Sequence, residues 1–323
     1  MVHVAYCFDE RYRQHFGAAI TSLLSNSRGL GRDLCVHVVT DVADEGFVAR
    51  IDAIRARFDA SIEVHEVRPD LLDSIGGLQA NSSYVRHLSQ SAYFRLLLPD
   101  ILPAQVERVL YLDSDTIVLS DISELLEADI GAAAVAGVRD LLESAFMDAF
   151  GYGGYINTGV LIMNLKAWRR DDIGRRCIAH AQQNPERVLY ADQCCINAVL
   201  DGDVAFLDPK WNGFLRVATR EQPEKAPAPG VRILHYVGAD KPWQNWFDHP
   251  LGKHYWENLE ASPWSGAIPD PPVSVANHHS LARKLAGLNR HAEACEFYEI
   301  VVTYLLEKSA RRAAQDAAAA SGK

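Results

Sequence analysis

Two carboxylates separated by one residue follow a short apolar run in Val109-Leu110-Tyr111-Leu112-Asp113-Ser114-Asp115-Thr116. In extended backbone, side chains at i and i+2 project to the same side. A buried strand would therefore deliver Asp113 and Asp115 to one point. Two hard anionic oxygens converging there suit Mg²⁺ or Mn²⁺. Asp and Ser are also common turn residues, so a capped turn fits the same letters.

In open α/β sheets, ligands bind beyond the carboxyl ends of the strands. The elements that carry the acidic pair are therefore as informative as the pair itself. Apolar runs at Val2–Phe8, Leu34–Thr40 and 62–67 read as strands. Helical spacing marks 17–24 and Glu45–Phe58, the second with Phe47, Val48, Ile51, Ile54 and Phe58 on one side. This β-α-β-α-β opening predicts a parallel sheet with helices on its faces. Ser82 or Ser83 would cap a helix running toward Leu98, ended by Pro99 and Pro103. Further strands are expected at Arg108–Leu112, 132–138, Ile156–Asn164 and 231–236, and helices from Lys166 and over 191–200.

Residues 262–272 carry four prolines without periodicity and read as a linker. The expected organisation is a catalytic domain over 1–261, a Pro-rich linker over 262–279, and a helical hairpin with a frayed tail over 280–323. The hairpin pattern loosely resembles a tetratricopeptide unit. A single unit cannot bury its own face, which favours a hairpin docked on the main domain.

The chain of 323 residues fits one large domain or two modest ones. Its 32 Lys+Arg against 42 Asp+Glu give a formal charge of −10. That balance, without any long basic run, speaks against a nucleic-acid partner. The N-terminus lacks the basic and then apolar pattern of a secretory signal, and no run approaches the roughly 20 apolar residues of a spanning helix. Cys7, Cys35, Cys177, Cys194, Cys195 and Cys295 form no paired spacing. Neither a zinc site nor a disulfide framework is expected from them, and reduced thiols suit a cytoplasmic protein.

Further segments fall into one order along the chain. Asp9 and Tyr12 follow the first strand, and Ser91-Ala92-Tyr93-Phe94-Arg95-Leu96 precedes YLDSDTIVLSDISEL at 111–125. Asp140, YINTGVLIMNLKAWR at 155–169, ADQCCIN at 191–197, LDPKWN at 207–212 and HYVGADKPW at 235–243 come after it. This constellation resembles glycosyltransferase family 8, the retaining nucleotide-sugar hexosyltransferases. The resemblance covers about 2–259 and implies a single α/β domain of the glycosyltransferase A type. Its central sheet would be mixed and mostly parallel, with the C-terminal helices as an extension.

Carried over by position, the resemblance implies that Asp113, Asp115 and His235 hold Mn²⁺, with Mg²⁺ as the alternative ion. An imidazole ligand tilts the choice toward Mn²⁺. Gly238 and Lys241 would lie against the diphosphate, the lysine as a point charge. Cys7, Asp9 and Tyr12 match positions for uracil and ribose. Ser114 completes the nucleotide-sugar set with the acidic pair. Arg95, Asp140, Asn157, Asp192 and Gln193 match positions around the donor sugar, with Asp140, Asp192 and Gln193 as the catalytic candidates. Trp211 and Trp243 would pack the site wall or the core.

The implied donor is UDP-galactose or UDP-glucose and the acceptor a saccharide or lipid-linked saccharide. The enzyme would be cytoplasmic, at most peripheral at the inner membrane face. The C-terminal helices would offer at most a weak partner contact. Cys194 and Arg11 depart from common family residues and leave the donor sugar open. Residues 143–155 and 221–230 are candidate loops over the acceptor.

Two other classes use some of the same letters. One is a glycosyltransferase-like binding protein that has lost activity, against which both acids, His235 and Lys241 argue. The other is a haloacid-dehalogenase-type phosphatase with Asp113 as nucleophile and Asp171-Asp172 as its distal acids. That motif normally continues with Gly and Thr near the start of a domain, whereas Thr116-Ile117 and three preceding strands stand here. Asp171-Asp172 also falls in what reads as a helix.

Overall fold

The computed structural model describes residues 1–78, 90–140, 154–218 and 224–321. The expected cap at Ser82 or Ser83, most of 143–155, and 219–223 lie outside them. The chain divides into two compact units, one of Met1–Ala239 with Glu257–Gly266 and one of Asp240–Trp256 with Ala267–Lys323.

The first unit is built on strands β1 (Val2–Phe8), β2 (Leu34–Thr40), β3 (Ser61–Glu66), β4 (Arg108–Leu112), β6 (Val135–Arg139), β7 (Ile156–Asn164) and β8 (Ala205–Phe206). They pair in the order β3-β2-β1-β4-β7-β6-β8. β1 runs parallel to both β2 and β4, and β2 to β3. β7 is antiparallel to β4 and to β6, and β8 is parallel to β6. The sheet is thus mixed and mostly parallel, as expected. From β1 the chain goes out to β2 and β3 on one side and returns to β4 on the other. The crevice beyond β1 and β4 is therefore a topological switch point. Asp9 immediately follows β1 and Asp113 immediately follows β4, so both stand at its rim.

Helices Arg13–Asn26 and Glu45–Phe58 connect the first strands, and Asp44 caps the second by accepting from the Phe47 N–H at 2.8 Å. Strands β1 and β2 are buried on almost every residue, because parallel strands are covered on both faces. A three-stranded sheet joins β5 (Thr116–Val118), β10 (Ile233–Tyr236) and β9 (Gly213–Leu215). β5 and β9 were not read from the sequence; three residues are too few for an apolar period to show.

Some expectations change. Gln90–Leu97 is a 3-10 helix, and Pro99 lies in the first turn of the helix Leu98–Ile101 rather than ending one. Proline is tolerated there because a first-turn N–H has no helical partner. Asp171 and Asp172 stand between the helices Leu165–Arg170 and Ile173–Gln183, with Asp172 at φ 52°. The two helices are distinct, so no single helix carries that pair.

In the second unit, the helix Val275–Gly287 starts five residues before 280 because Ser274 caps it through the Asn277 N–H at 3.1 Å. The helix His291–Ser321 continues through residues expected to fray, since alanine favours helix. Trp246, Leu281, Leu285 and Ala294 pack together, and Lys284 Nζ donates to the carbonyls of Asn245 and Phe247 at 2.9 and 2.7 Å. Among the described residues, no helix is long and apolar enough to cross a membrane.

Candidate active site

β4 delivers Asp113 and the short turn after it delivers Asp115. The antiparallel register of β10 on β5 pairs His235 with Thr116, one residue from Asp115. Asp113, Asp115 and His235 thereby offer ligand atoms that all lie within 4.8 Å of one another. His235 Nε2 is 3.3 Å from Asp115 Oδ1 and 3.9 Å from Asp113 Oδ2.

A network fixes which ring nitrogen faces the carboxylates. The Gly159 N–H, which can only donate, bonds to Asn157 Oδ1 at 2.9 Å. That oxygen also accepts from Asn212 Nδ2 at 2.9 Å. Asn212 Oδ1 therefore faces His235 Nδ1, 2.9 Å away, and Nδ1 must carry the proton. The Nε2 lone pair is left toward the acidic pair. A hydrogen-bonded imidazole with its other nitrogen free is the usual arrangement of a metal-binding histidine. Two carboxylate oxygens and one imidazole fit a divalent ion such as Mn²⁺.

The glycine of the Asn-Thr-Gly segment has a steric reason. A Cβ on Gly159 would come within 2.2 Å of His235 Cε1 and 2.9 Å of Asp113 Oδ2. Its carbonyl accepts from the Asp113 N–H at 2.8 Å, locking β7 to the end of β4.

Arg95 is deeply buried and ties two carboxylates together. It donates to Asp113 Oδ1 at 2.8 Å and pairs through Nε with Asp192 Oδ2 at 2.9 Å. Its third contact is the Thr158 carbonyl, and its guanidinium lies 4.3 Å from the Tyr111 ring centroid. The Tyr111 hydroxyl donates to Asp113 Oδ1 at 2.7 Å. Burial pushes the Asp192 carboxyl up to about 7, against the pull of Arg95. The residue before it, Ala191, holds φ 49°, a left-handed value that a Cβ disfavours.

Asp140, Asn157 and Gln193 form a second cluster. Asp140 Oδ2 accepts from Asn157 Nδ2 and Gln193 Nε2, each at 3.1 Å. Gln193 Oε1 accepts from Asn157 Nδ2 at 3.1 Å and from the Thr158 N–H at 3.2 Å.

At the end of β1, Asp9 caps a 3-10 turn and pairs with Arg11 at 2.8 Å. Burial raises the Tyr12 hydroxyl, and the charges of Asp115, Asp9 and Asp113 add to it. Burial likewise raises the Cys7 thiol, with Arg95, Asp113 and Asp192 close enough to act on it. Ser114 is buried between the two acids.

Gly238 adopts φ 86°, the left-handed region open to glycine. Lys241 belongs to the second unit, where its N–H donates to Gln244 Oε1 at 2.7 Å. Trp243 packs its ring against Tyr255 in that unit, and Trp211 is buried under Lys210 Nζ in the first. Both tryptophans are buried.

The structure thus gathers Asp113, Asp115, His235, Arg95 and Asp192 in one set of contacts and Asp140, Asn157 and Gln193 in another, the two joined through Asn212 and Thr158. Asn212, Tyr111, Thr158 and Gly159 were not singled out from the sequence. All four stood inside quoted motifs, but nothing in one dimension tells that Asn212 and Gly159 face His235.

The model of glycosyl transferase family 8 matches residues 3–247. The chain belongs to that family. As a family 8 glycosyltransferase it is similar to the lipopolysaccharide 1,2-glucosyltransferase of Escherichia coli, with 28% identity over 89% of each chain. It is 24% identical to the lipopolysaccharide 1,3-galactosyltransferase of Salmonella typhimurium, over 92% of this chain and 89% of that one. General stress protein A of Bacillus subtilis is 27% identical, over 85% of this chain and 98% of that one. Among solved structures, the galactosyltransferase LgtC with donor and acceptor sugar analogs superposes with a TM-score of 0.70. That match has 22% identity and covers 83% of this chain and 98% of that chain. The fold is accordingly of the glycosyltransferase A type.

Proposed function

We propose that this family 8 glycosyltransferase moves galactose or glucose from a UDP-sugar to a saccharide acceptor, free or lipid-linked, with retention at the anomeric carbon. The observation that carries the reading is the convergence of Asp113, Asp115 and the Nε2 of His235 beyond the β1–β4 switch point. The named activities of the lipopolysaccharide relatives support a hexose and a lipopolysaccharide-type acceptor. A cytoplasmic protein working at the inner membrane face agrees with such an acceptor.

Breaking the bond from the anomeric carbon to the diphosphate leaves negative charge on the leaving group and an oxocarbenium-like sugar. Mn²⁺ held by Asp113, Asp115 and His235 would supply Lewis-acid neutralisation of that diphosphate. The family resemblance gives Lys241 the role of a positive charge for the diphosphate and Gly238 that of a backbone without a Cβ. Cys7, Asp9 and Tyr12 take the uridine, with Asp9 accepting from the uracil N3–H. Asn157 and Gln193 offer amides to sugar hydroxyls, which both donate and accept. Asp140 and Asp192 face the positive charge that builds on the ring.

Attack by the acceptor from the face the diphosphate leaves is favoured over a covalent intermediate. Gln193 is an amide, and Asp192 is held against Arg95. The departing phosphate oxygen then takes the acceptor proton.

Thermal unfolding with UDP, UDP-galactose and UDP-glucose, with and without Mn²⁺, tests the reading, followed by UDP release in the presence of acceptor. A ligand at about one hundred times its Kd adds about 2.7 kcal/mol of stability. The absence of any Mn²⁺-dependent shift with all three nucleotides would overturn it. Trapping a glycosylated Asp192 or Gln193 would overturn same-face attack alone.

A further inference from the structure

The free edge at β3 and its two neighbours carry a second group of ligand-type side chains. His3 is on β1, Cys35 and His37 on β2, and Glu63 and His65 on β3. Parallel register sets His3 beside Cys35, His37 beside Glu63, and Val39 beside His65. Cys35 with His37, and Glu63 with His65, are i, i+2 pairs within one strand and so share a sheet face. His3 lies near the start of β1 and Asp9 just past its end, about 20 Å away at about 3.3 Å per residue. This group is therefore separate from the candidate active site.

Three of its atoms face one another. His37 Nδ1 is 3.0 Å from His65 Nε2 and 3.4 Å from Glu63 Oε2, and His65 Nε2 is 3.7 Å from Glu63 Oε2. A tetrahedral ion with bonds of about 2.0–2.1 Å holds its ligand atoms about 3.3–3.4 Å apart. The observed triangle brackets that edge. On the far side of the ring, His37 Nε2 lies 2.9 Å from His3 Nδ1. With a metal on Nδ1, the proton must be on Nε2, where His3 accepts it. This is the outer support that ligating histidines normally have. The side chain of His37 is 1% exposed, that of His65 19% and that of Glu63 50%, so the triangle opens to solvent on the Glu63 side.

We propose that His37 Nδ1, Glu63 Oε2 and His65 Nε2 bind a divalent transition metal of the zinc class. His3 is the positioning residue and water the fourth ligand. The ion clips the edge strand β3 to β2. Imidazole nitrogens with one carboxylate suit Zn²⁺ or Co²⁺ more than Mg²⁺. Burial lowers His37 to about 3, so its ring is neutral and its lone pair available at pH 7. Along the chain, His3, His37 and His65 are far apart, which is why the cysteine and histidine spacing pointed to no zinc site.

The untagged full-length chain carrying Asp115→Asn, which removes a ligand of the other site, is dialysed with Zn²⁺ and titrated with Co²⁺. A single retained equivalent of zinc and the visible bands of four-coordinate cobalt are expected. Adding His65→Ala with Glu63→Gln abolishes both, while the double variant alone keeps Mn²⁺-dependent UDP binding and its circular dichroism spectrum. His3→Phe weakens Zn²⁺ about 10–100-fold. No zinc retained in the Asp115→Asn protein, or undiminished zinc after His65→Ala with Glu63→Gln, overturns the proposal and leaves three neutral imidazoles in a hydrogen-bonded chain.

Discussion

At the scale of single residues, the proposed metal site depends on groups that would never touch the ion. Asn212 sets the tautomer of His235, and Gly159 leaves room for its ring. Asn212→Ala and Gly159→Ala should each weaken Mn²⁺ binding about 10–100-fold, the usual effect of losing outer support. Electron paramagnetic titration of Mn²⁺ reads this directly, and unchanged affinity in both would place His235 outside the metal site. Asp192 gives a pH-dependent test. Its carboxyl is raised from the usual value near 4 to about 7 by burial, so folding favours its neutral form. The stability it contributes is complete below about pH 4 and is lost as pH rises through about 7. Urea unfolding of metal-free protein should show this decline, and Asp192→Asn should flatten it. An equal slope in that variant would assign the pH dependence to another group.

At the scale of elements, positioning is done by backbone carbonyls that find side-chain donors. Arg169, at the end of the helix Leu165–Arg170, donates to the carbonyls of Pro99, Leu102, Pro103, Ala104 and Val106 at 2.9–3.3 Å. Pro99 and Pro103 lack an N–H, so this segment's own backbone bonds, such as Val106 N–H to the Pro103 carbonyl at 2.9 Å, leave carbonyls for the guanidinium, and it leads into β4, which Asp113 follows. The guanidinium fork cannot be replaced by a single ammonium. Arg169→Lys should lower stability by about 1–3 kcal/mol, read as a lower urea midpoint at an unchanged slope. Elements with a long apolar period were legible in the sequence: β1, β2, β4, β7 and the helix Glu45–Phe58 lie where the pattern puts them. β5, β8 and β9 are two or three residues long and were not. Their formation depends on partners distant in sequence, which local periodicity does not encode.

At the scale of the whole molecule, the charge of −10 opposes an anionic ligand unless a cation reverses the local field. Chelation should therefore abolish UDP binding. Lowering the salt concentration should not restore it, because weaker screening strengthens the repulsion. Calorimetry at two ionic strengths with EDTA checks this, and recovered binding at low salt would show that fixed positive groups suffice. The amino-acid sequence by itself determined the α/β class and the pairing of two acids just beyond β4, although they sit in a turn and not, as the extended spacing predicted, on one strand. The order of motifs also marked the family, because residue type and period are local properties. Only the tertiary structure decided that Asn212 and Gly159 govern His235, that Arg95 joins Asp113 to Asp192, and that His37, Glu63 and His65 form one triangle. Strand register and steric exclusion, which join residues far apart along the chain, made those choices.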